Sequence, residues 1–314
     1  MTMPGKQLPL FSSDMHHTLT RRSTLAEALG PFQEHLRHEG RSPHTIDAFT
    51  SDLRLAIEFF GGEMVLNDFS TPKLERFMEW IEFGRGVPCS RKSYARRVTT
   101  LKVFFGFLRS EEILPDNPAA ALLQRSGAAP LQPVLTESEI AALLARTHAL
   151  RTADDPDARP DMLLRLLLDT GIKKGECMAL TPEHIDRRDK NAPLLVVRHK
   201  RRSDVYKERK IALDPEWLAV LDEYMAQYTP PDTIFDCTAR NLEYILADVA
   251  QEAGVSTRVS FETLRWTCGV RDFERGMDLD VLREKFGLSR ISWRETSDKI
   301  QRLAVLRRER EANG

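Results

Sequence analysis

No sign of charge dominates this chain: 46 lysines and arginines face 47 aspartates and glutamates over 314 residues. A strongly basic chain would point to nucleic acid at once, and this composition does not. Long hydrophobic runs are missing too. The longest, Ile140 to Ala145, is about six residues, against the roughly 20 that a bilayer span needs. Cysteine is scarce: Cys89, Cys177, Cys237 and Cys268 lie too far apart for a CxxC metal knuckle and are too few for a disulfide scaffold. The N-terminal string MTMPGKQLPLFSSDMHH has no basic start followed by an apolar block, so no export signal is read there. The expectation is a soluble, cytoplasmic chain with no membrane partner, no cofactor and no metal.

A hydrophobic content of 41% supports ordinary packed cores, and the length suits two domains. The near-zero average also hides a patch. Arg198, Lys200, Arg201, Arg202, Lys207, Arg209 and Lys210 crowd one short stretch that holds only two acidic residues, whereas 154–161 is acidic.

Residues 1–22 mix Pro, Gly, Ser, His and Arg without periodicity and read as a flexible tail. A helical pattern fills 23–124. Its best example, Ser90 to Leu108, spaces Tyr94, Val98, Leu101, Phe105 and Leu108 four, three, four and three apart, which makes one apolar stripe. Lys92 and Arg96 fall roughly opposite that stripe and are expected to face water or a partner. Residues 125–134 have linker composition. Thr136 and Glu139 then form a capping box that opens the second domain, 135–314. Within it, Asp161 to Asp169 reads as a helix buried on most sides. Leu194 to Val197 and Val205 to Leu213 read as a hairpin with a cationic tip. Lys299 to Arg310 reads as an amphipathic helix that docks on its own domain or on a partner.

Five strings, in order, resemble the tyrosine recombinase (phage integrase) family. Arg41 to Phe60 and Arg97 to Ala119 are similar to its helical, SAM-like core-binding domain. Leu166 to Asp186, LLLDTGIKKGECMALTPEHID, resembles the catalytic-domain segment LLYTGLRxSELxxLxWxDID. Phe261 to Val270 resembles the HxLRHTFAT box, and Lys285 to Ser297 the LGHxxxxTTxxY ending. The resemblance implies a mainly α fold with a small β-hairpin or sheet: a two-domain clamp on double-stranded DNA, with a helical core-binding domain and a mixed α+β catalytic-type domain.

The family's reaction, as the resemblance implies it, joins a tyrosine hydroxyl to the scissile phosphate. Two arginines fork onto the phosphate's non-bridging oxygens, and a hairpin lysine protonates the leaving oxygen. Carried over by position, the first arginine becomes Lys173, and Glu176 matches the supporting acid. Lys200 matches the hairpin lysine, with Lys207 or Lys210 as substitutes. The first histidine becomes Glu262, the second arginine is kept as Arg265, the His/Trp position becomes Leu288, and the nucleophile becomes Ser297. Sliding the register does not restore the set: no tyrosine occurs from Arg265 to Gly314 and no histidine after His199.

Lys173 keeps a charge but not a planar fork, so it either attracts phosphate or pairs with Glu176 or Glu262. The expected activity is therefore DNA binding without strand cleavage, in a regulatory or architectural role near the nucleoid. The expected DNA contacts are Arg41, His44, Lys92, Arg96, Lys173, Lys200, Arg201, Arg202, Lys207 and Arg265. Two other readings stand beside this one: an unconventional integrase using Ser297 or water, and a DNA-independent assembly protein. The C-terminal helix would serve a homo-oligomer or an active recombinase partner.

Overall fold

The computed structural model describes residues 19–124, 131–199 and 202–313. The chain divides into two units, Met1–Pro130 and Leu131–Gly314. The first is helical: α1 (Leu29–His38), α2 (Pro43–Phe60), α3 (Thr71–Glu79, continued by a π turn over Trp80–Gly84) and α4 (Arg91–Ser110). Ser42 and Ser90 start α2 and α4 by accepting hydrogen bonds from the amides of Thr45 and Ser93. The α4 stripe packs as its spacing predicts, with Val98, Leu101, Phe105 and Leu108 buried and Tyr94 partly so. Phe104 and Phe107 widen it, meeting Phe32 of α1 at ring separations of 5.2 and 5.7 Å.

Residues 1–18 of the expected tail lie outside the described residues. From Arg21 onward the chain is already held: the Arg21 and Ser23 carbonyls accept from the amides of Asn67 and Leu66, at 3.0 and 2.8 Å. The first unit thus begins slightly earlier than its composition suggests. Of the linker stretch, 125–130 lie outside the described residues, and Val134 is already buried in the second unit.

The second unit orders α5 (Glu137–Arg151), α6 (Arg159–Thr170), α7 (Lys174–Met178), strands β1 (Ile185–Asp186), β2 (Leu194–Val197) and β3 (Arg209–Ala212), then α8 (Pro215–Tyr228), α9 (Ala239–Glu252), α10 (Phe261–Glu274), α11 (Leu279–Lys285) and α12 (Arg290–Asn313). The capping box is formed: Thr136 Oγ1 accepts from the Glu139 amide, and Glu139 returns a carboxylate to the Thr136 amide. α6 is buried on nearly all sides, as its leucines require. The three strands pair antiparallel in the order β1-β2-β3, with Leu195 opposite Ile211. The second hairpin strand is shorter than expected, because Arg202–Lys207 close into a 3-10 turn and β3 starts only at Arg209.

Helix α12 packs on its own unit through part of its apolar face. Ile300, Leu303 and Ala304 join a core with Val270, Leu282, Phe286 and Trp293. Arg307, 3% exposed, donates to the Leu135 carbonyl and to Glu137 and Glu274, while Arg310 reaches the Val134 carbonyl. Most of the apolar face is thus used on its own unit, while Leu306 stays 44% exposed. Among the described residues no helix is long and apolar enough to cross a membrane.

Candidate nucleic-acid interface

The turn between α6 and α7 begins the site. Gly171 ends α6 with φ +56°, a left-handed conformation that favours glycine, and a Cβ there would stand 3.1 Å from Cys268 Sγ of α10. That close approach brings α10 against the turn. Arg265 of α10 then donates one guanidinium nitrogen to the Gly171 carbonyl and the other to the Phe286 carbonyl at 2.9 Å. Its guanidinium carbon lies 4.0 Å from the Phe286 ring centroid. Burial lowers Arg265 to about 10; Glu176 opposes the shift and Arg209 adds to it. The group stays charged at neutral pH, yet part of its fork is already given to backbone.

Glu176, 9% exposed, is the hub. It accepts the Lys173 amide at 2.9 Å and a bidentate pair from Arg209 at 3.0 and 2.8 Å. Arg209 also donates to the Lys285 carbonyl at 2.7 Å and the Lys207 carbonyl at 3.0 Å. One side chain thereby ties β3 to α7 and to the end of α11. Gly287 (φ +59°) makes room for it, since a Cβ there would meet Arg209 Nη1 at 2.7 Å. Burial pushes the Glu176 carboxyl up, but the Arg209 hydrogen bonds and charge outweigh it and leave the acid below its ordinary value.

Lys173 sits half-buried at the edge of this hub. Burial lowers its ammonium, Glu176 opposes that, and Arg265, Arg209 and Lys207 add repulsion. Arg209, Lys173 and Arg265 thus all act on the one Glu176 carboxylate, a local excess of positive charge that suits a polyanion. His199, after β2, places Nε2 3.7 Å from Glu176 Oε1, and that nitrogen is buried without a hydrogen-bond partner.

The expected positions are thus only partly united. Lys173, Lys207, Arg265 and Glu176 share one site. Lys200 and Arg201 lie outside the described residues, and Arg202 opens the 3-10 turn. Leu288 lines a groove between that turn, β3 and α11. Glu262 is exposed and does not pair with Lys173; it accepts from Trp266 Nε1 at 3.4 Å, and Lys299 lies 4.0 Å above that indole. Ser297 donates its hydroxyl to the Arg294 carbonyl at 3.0 Å, one turn back on α12.

In the first unit, Arg41, His44 and Lys92 are exposed. Arg96, expected opposite the stripe as a cation open to a partner, is instead bound by the buried Asp52 at 3.0 and 2.7 Å. A carboxylate buried between α2 and α4 needs a cation, and Arg96 is within reach. Its side chain remains 42% exposed.

Arg209, His199 and the buried Lys285–Asp272 pair (2.6 Å) are absent from the expected list. Arg209 had a readable signal. It shares the period-two face of β3 with the buried Ile211, so its side chain points inward and needs an anion.

The model of the Phage integrase family matches residues 133–295, and that of the Phage integrase N-terminal SAM-like domain matches 29–112. The chain is similar to tyrosine recombinase XerD of Listeria innocua, 24% identical over 85% of this chain and 91% of that protein. It is also similar to tyrosine recombinase XerC of Lacticaseibacillus casei, 25% identical over 84% and 91%. Among solved structures, XerH recombinase bound to a palindromic difH substrate matches with a TM-score of 0.70 at 16% identity, over 92% of this chain and 84% of that one. A lambda integrase dimer on a COC′ core site gives 0.66 at 16% identity, over 87% and 77%. At such identities the structural likeness speaks for the fold.

Proposed function

The chain belongs to the phage integrase family of tyrosine recombinases, and on that premise we propose that it binds duplex DNA through its two units without forming a tyrosyl–DNA link. The observation that carries this reading is the site's imbalance: Arg209, Lys173 and Arg265 gather on Glu176, while no tyrosine follows Tyr244 in the chain. Phosphate would be held by Lys173 and Lys207 and by the N–H groups of Arg265 not given to Gly171 and Phe286. Arg209 keeps the hairpin and the α11 end in register for them. The exposed Arg41, His44 and Lys92 supply the first unit's phosphate contacts, which position a duplex without reading its sequence. In this reading the chain acts by occupying DNA, in a regulatory or architectural role.

Ser297 fits a nucleophile poorly. A serine hydroxyl needs an adjacent base, and this one is turned toward the Arg294 carbonyl.

Two measurements test the proposal. Duplex affinity should fall linearly in log–log form with salt, by a slope of about −0.9 for each phosphate neutralised. Absence of affinity for any duplex at low salt would overturn it. A nicked suicide substrate should trap no covalent adduct; an adduct that disappears in Ser297→Ala would establish the enzyme reading instead.

A further inference from the structure

The 3-10 turn before β3 carries a feature that phosphate binding does not use. Tyr206 is 67% exposed and its neighbour Val205 50% exposed. Both are β-formers placed in solvent, and they sit within the most basic stretch of the chain. The Lys207 ammonium lies 5.3 Å from the Tyr206 ring centroid, and the Lys207 carbonyl is fastened by Arg209. The ring is thus mounted on a turn whose base is anchored to Glu176. Tyr206 also stands at the wall of a groove of about 630 Å³, which Met277, Val281 and Leu288 line with apolar surface and Lys210 and Glu284 with polar groups. That volume falls within the roughly 300–1,000 Å³ of ordinary small-molecule pockets.

An exposed aromatic ring beside an apolar residue, with cations on either side, has the composition of a wedge that enters base steps or stacks on a base. The cations meet phosphate, the ring meets a π-face, and the groove offers apolar walls with polar groups, as sites for displaced bases do. We infer that the Val205–Tyr206 turn and its groove take an unstacked base, so that the chain prefers duplex DNA with a locally unpaired position over fully paired duplex. The inference rests on the DNA-binding reading above. Unpaired bases favour such a site because little stacking is lost on leaving the helix.

The test compares two duplexes of identical length, one fully paired and one with a single central mismatch, in anisotropy titrations at low salt. The wild-type chain should bind the mismatched duplex about tenfold more tightly, the scale of one base–aromatic stack. Tyr206→Ala should lose most of that ratio and Tyr206→Phe should keep it, since the ring and not the hydroxyl stacks. Tyr244→Ala, which removes an exposed tyrosine of α9, should keep it as well. Equal wild-type affinity for the two duplexes, or loss of the ratio in Tyr206→Phe, overturns the inference and leaves the DNA-binding reading intact. Failure to bind either duplex overturns both.

Discussion

Asp52 in the first unit and Glu176 in the second are both buried carboxylates gripped by an arginine fork, and they do different work. Asp52, 3% exposed, takes Arg96 in two bonds and the Thr100 hydroxyl at 3.0 Å, with Arg97 at 3.5 Å. All these donors come from α4, so the cluster pins α2 to α4. Glu176 takes its donors from β3 and from its own turn, and it leaves Lys173 and part of Arg265 around it. The first cluster is an internal staple. The second holds cations in place that it does not consume.

The largest expected effect separates the two clusters by stability. Arg209→Met should cost the second unit about 3–5 kcal/mol, because a buried carboxylate loses its fork, and amide hydrogen exchange should show the loss in that unit alone. A loss under about 1 kcal/mol would mean that Glu176 is no more than a surface acid. Asp52→Asn should cost the first unit about 1–3 kcal/mol, less because Arg96 can turn to water, and duplex affinity should be no weaker. Weakened binding would assign the staple a DNA role.

Lys173→Met is expected to leave stability unchanged or slightly raised, since burial already disfavours its charge, and to lower the salt slope of DNA binding by about one. An unchanged slope would remove Lys173 from the phosphate contacts.

The smallest effect near neutrality is the pH response. Glu176 has a folded value below its unfolded one, so its stabilisation is complete above the unfolded value of about 4.3 and is lost as pH falls through the folded value. Acid titration should destabilise wild type more steeply in that range than Glu176→Gln, and equal slopes would remove Glu176 as a source of acid lability.

Local features are legible in the sequence. The Thr136–Glu139 capping box, the α4 stripe and the burial of α6 each follow from spacing within a turn or two, where neighbours in sequence are neighbours in space. The site was legible only as positions. Its contacts join residues far apart: Arg209 to Glu176 across 33 positions and Arg265 to Gly171 across 94. Spacing along a strand could show that Arg209 points inward, but not which acid receives it. Arg96 shows the opposite division. Its exposed place opposite the stripe follows from spacing, but the acid it pairs with comes from another helix.

Residue order alone settled the inventory: the run of basic residues from Arg198 to Lys210, Arg265, and no tyrosine beyond Tyr244. Which cations remain available was decided by tertiary packing. A guanidinium commits to whatever acceptor the fold brings within about 3 Å, and no pattern along the chain encodes that distance.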